Sequence, residues 1–529
     1  MTRVLWPVRR RLAAVAVAAA AAAASSGLLT GATTAARTVP AARTAQGGTW
    51  GTARELPVSS GVGNQLTAGP VSCAAPGDCS TGGEYNYVSG YQVFVVGEVN
   101  GVWGGTKELP GMTALNQQSA RLSAMSCASP GNCAAGGIYD ADNSFDPSTA
   151  EAFVANETNG TWGQAQEVPG LGALNRAGLA GLLGVSCPSP GDCVAVGFFS
   201  QRAKFDRTRR QAFIADEVDG TWQPAHKVGA SLNTGGDAEL SGVSCASKGN
   251  CTAVGSYSAR HGTTAVERVM VDAETNGVWG APRELPGVTQ LPGTATGIDT
   301  VSCPAPGTCG ISGTFADSAN TTQPFLDDEV KGTWGTPAEV PGIAGLDLGN
   351  YATISSLSCA APRECAAGGT YSVSRISDEP FVVDETNGTW GSAQEVPGIA
   401  ALSSGPFDIA GLSSLSCGAA GECAAVGNYD DAKGETQPFV VDEVHGTWGD
   451  AEAAPGIAAL NLGCQGFGVC AYFVSLSCPS AGNCGATGSY QNNLNFQATF
   501  VIDGTSKTQR QGPATPGGPG GRAARRTAG

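Results

Sequence analysis

Residues 356–390 read SLSCAAPRECAAGGTYSVSRISDEPFVVDETNGTW, and this stretch holds nearly one whole unit of a repeat. It begins with a Ser-Cys-x5-Cys signature at Cys359 and Cys365 and ends with Gly-Thr-Trp at Trp390. Asn387-Gly388 favours a tight hairpin, because both central residues of a type I′ turn need positive φ. Short strand-forming runs lie between the turn signals. The unit is therefore predicted to form four short antiparallel strands.

Both signatures occur eight times along the chain, with 54 to 61 residues between successive cysteine pairs. The cysteine pairs are Cys73 and Cys79, Cys127 and Cys133, Cys187 and Cys193, Cys245 and Cys251, Cys303 and Cys309, Cys359 and Cys365, Cys417 and Cys423, and Cys478 and Cys484. The tryptophans are Trp50, Trp103, Trp162, Trp222, Trp279, Trp334, Trp390 and Trp448. Four-stranded units repeated at this period are typical of propeller blades. The sequence predicts an all-β, eight-bladed β-propeller with four antiparallel strands per blade.

The two ends of the repeat region are complementary. The last unit has its cysteine hairpin and a third strand at 500–503, but no tryptophan strand follows. Residues 48–57 have the pattern of the tryptophan-containing fourth strand, without the other three strands of a unit before them. We therefore expect the N-terminal strand to complete the last blade, which would leave the ring without an unpaired terminal edge.

The 18 cysteines are expected to form disulfides. The chain has only 3 histidines and no Cys-x-x-Cys pair, so zinc is disfavoured. Each repeat pair is predicted to join the first two strands of its blade. Cys464 and Cys470 share the same spacing but lie in the longest loop between blades, which they are expected to pin.

The N-terminus carries four arginines, then an apolar Ala/Val run and small residues, the order of an export signal. The predicted organisation is a signal over 1–36, cleaved near 36 or 41, a linker over 37–47, the propeller over 48–505 and a disordered, basic Pro/Gly-rich tail over 506–529. We expect a secreted, extracellular protein with no membrane span after signal removal, and a monomer.

The net charge of −16 understates the acidity of the repeat region. The signal carries four arginines and the tail five cations, with no acid in either, so the remainder carries −25. A body of this charge repels phosphate backbones, which excludes nucleic acid as a partner.

Loop lengths differ between the two faces of the predicted ring. The cysteine spacing and the Glu-to-Trp spacing across the third turn are constant in every complete unit. All length variation lies in the loops that join second to third strands and fourth strands to the next blade. We call the face with these loops the variable face and the opposite one the constant face. Ligand binding is predicted on the variable face, because insertions collect where binding is elaborated.

Several residues of the variable face are candidates for binding. Asp140, Asp142, Ser144, Asp146 and Glu151 place oxygens at positions 1, 3, 5, 7 and 12 of a calcium-loop register, so calcium is the one cofactor we consider. Phe145 at position 6 and the strand context instead favour a solvated acidic loop. The other candidate ligand contacts are Tyr472, Phe473 and Phe467 of the long loop and Arg207 and Arg209 of a basic one.

The string from Cys417 to Tyr429 follows the pattern Ser-Cys-x5-Cys-x-Ala-[Val/Ala]-Gly-x-[Tyr/Phe]. It resembles Cys-rich β-propeller repeats in secreted proteins of high-GC actinobacteria, over about residues 48–505. Those proteins have no established activity, so the resemblance implies fold and export rather than a reaction.

Two functional hypotheses stay open. The first is a non-catalytic extracellular module that binds carbohydrate or protein on the variable face. The second is a secreted polysaccharide hydrolase or lyase that uses loop carboxylates at the channel mouth. The candidate carboxylates are Asp237, Glu239, Asp299, Asp408, Asp430 and Asp431. Two of them converging with separated pKa values would favour the enzyme, and a shallow aromatic-lined surface would favour binding.

Overall fold

The protein is an all-β ring of eight blades, as predicted. A computed structural model describes residues 48–506, except 88–89, 143–148, 202–208, 406–408 and 465–467. The predicted signal, the linker up to residue 47 and the basic tail from 507 onwards lie outside the described residues. Each blade has three long antiparallel strands and a fourth strand in two short segments.

The strands are numbered first to fourth within each blade. First strands span Leu66–Ala75, Ala120–Ser129, Ala180–Ser189, Ala238–Ser247, Gly293–Ala305, Ala352–Ala361, Ala410–Ala419 and Ala471–Ser480. Second strands span Asp78–Tyr87, Asn132–Asp140, Asp192–Ser200, Asn250–His261, Thr308–Asp317, Glu364–Ser374, Glu422–Asp430 and Asn483–Gln491. Third strands span Gly90–Val99, Ala150–Thr158, Arg210–Val218, Thr264–Thr275, Thr322–Val330, Ser377–Thr386, Thr436–Val444 and Gln497–Thr505.

The fourth strands are interrupted. Their first segments, from blade 1 to blade 8, are Val102–Trp103, Thr161–Trp162, Thr221–Trp222, Val278–Trp279, Thr333–Trp334, Thr389–Trp390, Thr447–Trp448 and Thr49–Trp50. The second segments are Lys107–Glu108, Gln166–Glu167, His226–Val228, Arg283–Glu284, Ala338–Glu339, Gln394–Glu395, Glu452–Ala453 and Arg54–Glu55. One-turn helices follow in six blades, at Met112–Leu115, Leu171–Leu174, Val288–Gln290, Ile343–Leu346, Ile399–Leu402 and Ile457–Leu460.

The sequence predicts one continuous fourth strand in blade 6, from Thr389 to Val396, and the structure differs. Between the two segments, the amide of Ala393 donates to the carbonyl of Pro341 in the preceding blade at 2.7 Å. The chain thus leaves its own sheet for a hydrogen bond to its neighbour. Backbone donors need partners, so this hydrogen bond replaces one that a continuous fourth strand would have made within its own sheet.

Residues from both ends of the repeat region share blade 8. Thr49 lies opposite Thr505 and Trp50 opposite Gly504. The segment Arg54–Glu55 pairs with the same third strand, at Val501 and Phe500. The first strand of blade 8 also packs beside that of blade 1, as other neighbouring first strands pack beside each other.

All eighteen cysteines are paired in nine disulfides, each between cysteines six residues apart. The prediction that each repeat pair joins the first two strands of its own blade is confirmed. From blade 1 to blade 8, these bridges join Cys73 to Cys79, Cys127 to Cys133, Cys187 to Cys193, Cys245 to Cys251, Cys303 to Cys309, Cys359 to Cys365, Cys417 to Cys423 and Cys478 to Cys484. The ninth joins Cys464 to Cys470 in the loop before blade 8. Every bridge is therefore local, and none connects two blades.

The serine before each first cysteine of a repeat pair joins one blade to the next. Its Oγ accepts a hydrogen bond, 2.9 to 3.0 Å long, from the amide of the corresponding cysteine in the following blade. The acceptors are Ser72, Ser126, Ser186, Ser244, Ser302, Ser358, Ser416 and Ser477. We call these eight residues the serine ring. It links blade 8 to blade 1 through the bond from Cys73 to Ser477.

The tryptophans make a second set of contacts between blades. Six of them donate the indole N–H to an Asp or Asn on the third strand of the preceding blade, at 2.9 to 3.2 Å. Trp448, for example, donates to both oxygens of Asp384. The other two tryptophans are Trp162 and Trp334. In the blades that precede theirs, the position equivalent to Asp384 is occupied by Gly97 and Ala273, respectively.

The core consists of clusters between neighbouring blades. The aromatic residue twelve positions after each first cysteine lies there, and all eight are buried: Tyr85, Tyr139, Phe199, Tyr257, Phe315, Tyr371, Tyr429 and Tyr490. Each lies in a cluster with residues of a neighbouring blade, so these aromatic residues serve packing between blades. Tyr85 Oη donates to Glu108 at 3.0 Å, which gives the repeated glutamate of the fourth strand a structural role.

Candidate ligand-binding site

The long loop between blade 7 and blade 8 is described at residues 461–464 and 468–470, and these parts are held at both sides on the variable face. Gly468 pairs with Glu435 in the hairpin of blade 7. On the other side, the amide of Gly463 donates to the carbonyl of Gln491 in blade 8 at 3.1 Å. With the disulfide from Cys464 to Cys470, these contacts fix the loop to the hairpins of both neighbouring blades.

Tyr472 follows this loop as the second residue of its strand, at the variable-face end. The Nε2 of Gln497 donates to its Oη at 2.5 Å. Burial raises the pKa of Tyr472, which also senses the charges of Glu84 and Arg121 in the next two blades. Phe473 points to the opposite side of the strand, is 2% exposed and packs against Phe500, so its side chain belongs to the core. Phe467 lies outside the described residues.

Glu84 and Arg121 form the polar centre of this region. Glu84 lies near the end of the second strand of blade 1, and Arg121 is the second residue of the first strand of blade 2. Their side chains form an ion pair at 3.7 Å, with the arginine 58% exposed and the glutamate only 15%. Burial raises the pKa of Glu84 to about 7, opposed by Arg121 and by the backbone N–H of Leu122. The pair therefore offers an exposed guanidinium donor beside a largely buried carboxylate acceptor.

Two exposed tyrosines belong to the second hairpin of blade 1. Tyr87 is 43% exposed and Tyr91 is 49% exposed. The ring of Tyr87 meets that of Tyr85 edge-on, with centroids 6.4 Å apart. Tyr91 pairs with Ser119 in the loop leading to blade 2. These rings lie at the same end of blade 1 as Glu84.

We call the surface formed by Glu84, Tyr87, Tyr91, Arg121, Tyr472 and residues 461–464 and 468–470 the blade 8–1 sector. Sequence reasoning found Tyr472 and the loop but missed the other four residues. A signal was present for two of them. Tyr87 and Tyr91 are aromatic residues beyond the regular one at Tyr85, so they are not needed for the repeated packing.

A second polar cluster lies between blades 3 and 4. Arg210 pairs with Asp237 at 2.9 Å and with Glu239, and its guanidinium lies 5.1 Å from the ring centroid of Phe198. The two carboxylates together raise the pKa of Arg210 against the effect of burial. Arg210 was not predicted; the predicted Arg209 precedes it and packs near Gly236, and Arg207 lies outside the described residues. The single guanidinium is shared between two carboxylates, so the cluster keeps a net negative charge.

The remaining candidate carboxylates that the structure describes are Asp430, Asp431 and Asp299. Asp430 accepts a hydrogen bond from Thr436 Oγ1, and Asp431 accepts from two amides of its own hairpin. Asp299 is an exposed residue on the first strand of blade 5. Blade 5 stands opposite blade 1 in a ring of eight, so Asp299 lies across the ring from Glu84. Asp408 is outside the described residues.

The predicted calcium loop is described only in part, because Ser144 and Asp146 fall in the gap at 143–148. Asp140 accepts a hydrogen bond from the amide of Ser119, and Asp142 accepts one from Thr149 Oγ1. Glu151 accepts from Asn175 Nδ2 at 2.8 Å, in the loop towards blade 3. Burial and Asp142 raise the pKa of Asp140 to about 6. Calcium binding here stays a prediction.

No helix among the described residues is long and apolar enough to cross a bilayer.

Comparisons with known proteins return propellers of distant sequence. No family model and no curated protein sequence matches the chain. Chaetomium thermophilum Sqt1 aligns with a TM-score of 0.46 and 11% identity, over 87% of this chain and 99% of its own. An ulvan lyase aligns with a TM-score of 0.38 and 11% identity, over 76% of this chain and 96% of its own. Trypanosoma rangeli sialidase aligns with a TM-score of 0.34 and 10% identity; the alignment covers 76% of this chain but 55% of the sialidase. At these scores, the likeness carries no inference about ligand or reaction.

Proposed function

We propose that the protein is a secreted, non-catalytic binding propeller and that its ligand is a carbohydrate held on the blade 8–1 sector. The observation that carries this proposal is the placement of Tyr87 and Tyr91, two half-exposed aromatic rings, on the same blade end as the Glu84–Arg121 pair. Sugars present apolar ring faces and hydroxyls together, so a surface that offers tyrosine rings beside donors and acceptors suits them.

The state of the carboxylates supports binding over hydrolysis. General acid–base cleavage of a glycosidic bond needs two carboxyl groups within about 10 Å of each other. Asp237 and Glu239 are engaged by Arg210, and Asp431 caps its own hairpin. Glu84 and Asp299 belong to blades 1 and 5, which stand opposite each other in a ring of eight.

A protein ligand is the second candidate. Leu462, Val469 and Leu494 are 60 to 65% exposed, and all three belong to loop 461–470 or the blade 8 hairpin beside it. Exposed aliphatic side chains gathered at one place favour a protein partner over a sugar.

A glycan array on the disulfide-bonded protein, run beside a polysaccharide-hydrolysis screen, tests the proposal. We expect retention of a glycan class without release of products. The variants Tyr87→Ala, Tyr91→Ala and Arg121→Ala should each weaken retention about tenfold or more, the loss of one stacking or charged contact.

Val278→Ala is the matched control, because Val278 is 70% exposed on the constant face. It should bind as the unaltered protein does. Product release from any retained glycan would contradict the non-catalytic assignment. Retention that survives all three sector variants would place the site elsewhere.

A further inference from the structure

Two acidic residues from neighbouring blades meet beside the tryptophan at three of the eight contacts between blades. In blade 7, Glu443 lies opposite Trp448 in the hairpin, and the indole N–H of Trp448 donates to Asp384 of blade 6. The tryptophan thus brings a carboxyl group of each blade to the same place. The equivalent residues are Asp216 and Glu274 around Trp279, between blades 3 and 4, and Asp328 and Glu385 around Trp390, between blades 5 and 6. We call these three pairs of acids the carboxyl pairs.

The two members of a carboxyl pair are close enough to affect each other. Between blades 5 and 6, carboxylate oxygens of Asp328 and Glu385 lie within 4.8 Å of each other. Burial and the charge of Asp384 raise the pKa of Glu443 to about 8. Burial and the charge of Asp216 raise the pKa of Glu274 to about 7. Two like charges this close resist being ionised together.

The indole serves only one member of each pair. The aspartate accepts the indole N–H at 2.9 to 3.1 Å. The glutamates instead have oxygens that are closed to solvent and have no partner among the described residues: Oε2 of Glu274, Oε2 of Glu443 and both oxygens of Glu385. A buried carboxylate without a donor destabilises the fold, whereas a protonated carboxyl group carries a donor of its own. The glutamate is therefore the member of each pair that favours a proton.

The contact between blades 2 and 3 has the same arrangement with a neutral partner. Asn156 stands at the position of Asp384, and its Oδ1 accepts the indole N–H of Trp222 at 2.9 Å. Its Nδ2 donates to Oε1 of Glu217, the glutamate opposite Trp222. Burial raises the pKa of Glu217 to about 7, and the amide of Asn156 opposes that rise. Where an aspartate replaces this amide, a proton is needed to supply the missing donor.

The other four contacts lack one member of the pair or supply a cation. Gly97 and Ala273 replace the aspartate between blades 1 and 2 and between blades 4 and 5. Gly504 replaces the glutamate between blades 7 and 8. Between blades 8 and 1, Asp503 already forms an ion pair with Arg54 at 2.5 Å. The carboxyl pairs are thus a property of three particular contacts and not of the repeat as a whole.

The charges around the pairs differ between contacts. Glu385 is affected by Asp328, by Glu364 and by Arg363, an exposed residue at a φ of 63° in the turn between the first and second strands of blade 6. The arginine lowers the pKa values of Asp328 and Glu385 against the larger, opposing effect of burial. The proton is therefore held less firmly between blades 5 and 6 than it would be without this cation.

Between blades 6 and 7 the surrounding charges are acidic. Glu443 is affected by Asp384 and by Glu422, and both raise its pKa beyond the effect of burial. Glu422 itself contacts the exposed side chain of His445. Among the described residues, no cation contacts Asp384 or Glu443. This pair should hold its proton most firmly and is the best one to test.

We propose that each carboxyl pair holds one proton in the folded protein at neutral pH, so that a rise in pH loosens three contacts between blades. The pKa of Glu443 is raised on folding from its ordinary value of 4.5, so the folded state binds the proton that the unfolded state releases. The contribution of the pair to stability is therefore complete below pH 4.5 and is lost as the pH rises through about 8. The ring is a proton-sensitive closure that is firmest in acidic surroundings.

Proton release on unfolding in urea, measured in a pH-stat at about pH 7.5 with the full disulfide-bonded protein, tests this inference. In Asp384→Asn the new amide should accept from Trp448 and donate to Glu443, as Asn156 does in its own contact. Unfolding of this variant should release roughly half a proton fewer than unfolding of the unaltered protein. Asn156→Asp creates a fourth carboxyl pair and should release roughly half a proton more.

Asp442→Asn is the matched control. Asp442 accepts the indole N–H of Trp50 at 3.2 Å, but Gly504 and not a glutamate lies opposite that tryptophan, so proton release should not change. Unchanged release in Asp384→Asn would overturn the proposal, as would an equal fall in Asp442→Asn. If Asp384→Asn does not fold, as circular dichroism would show, Asn156→Asp decides, and no added release from it would overturn the proposal equally. The result is independent of the glycan array, because the carboxyl pairs and the blade 8–1 sector share no residue.

Discussion

Replacement of one member of the serine ring should measure how strongly neighbouring blades hold each other. Ser358 Oγ accepts the amide of Cys417 at 3.0 Å, and that contact is partly buried. In Ser358→Ala the amide loses its partner, which should cost about 1–2 kcal/mol in the free energy of unfolding. Because the entropy of unfolding grows with chain length, the melting temperature of a ring this large should fall by only about 1–3 °C.

Calorimetric melting and amide hydrogen exchange together provide the assay. Exchange at Cys417 should accelerate while exchange in blades remote from the contact stays unchanged. Ser404→Ala is the control, because Ser404 is an exposed serine in the following loop and its loss should be nearly neutral. If Ser358→Ala melts like Ser404→Ala and protection at Cys417 is retained, the serine ring does not stabilise the contacts between blades.

Four further changes have defined outcomes. A chain starting at Gly61 lacks the fourth strand of blade 8 and should melt well below the full protein; an unchanged melting curve would refute closure of the ring. Burial raises the pKa of Glu385 to about 7 and that of Glu443 to about 8, so the folded state binds more protons than the unfolded state above pH 4.5. The free energy of unfolding in urea should therefore fall between pH 5 and pH 8; a rise would contradict the burial of these groups. Arg363→Gly removes a left-handed arginine and should stabilise the fold by about 1 kcal/mol in denaturant titrations, whereas a loss would show that the arginine itself supports the turn. Millimolar calcium should raise the melting temperature, and Asp142→Ala should remove that increment, if the acidic loop binds the ion; no response would leave it a solvated loop.

The repeat made the architecture predictable. The residues that determine each hairpin and each disulfide lie within a few positions of one another in the sequence. Because the pattern occurs eight times, the prediction of a repeated blade is unambiguous. Contacts between blades were harder to predict from the sequence. Trp448, for example, donates to Asp384 of the preceding blade, a partner that no local pattern in the sequence identifies.

The candidate site was harder to predict, because its parts are distant in sequence. Tyr472 and Glu84 come near each other only because blade 8 lies beside blade 1, and no local sequence pattern predicts this proximity. Phe473 and Tyr472 are adjacent in the chain, yet strand alternation sends one to the core and the other to the polar cluster. Departures from the repeat, such as Tyr87 and Tyr91, were the best available signal for the candidate site.

Hydrogen–deuterium exchange, with and without a glycan retained on the array, tests the central claim most directly. The account predicts slower exchange in the described parts of the blade 1 hairpin around Tyr87 and Tyr91, in the strand at Arg121 and around Tyr472. Exchange in the Asn-Gly turns of the constant face, such as Asn387-Gly388, should not change. Protection confined to those constant-face turns would contradict the assignment of ligand binding to the variable face.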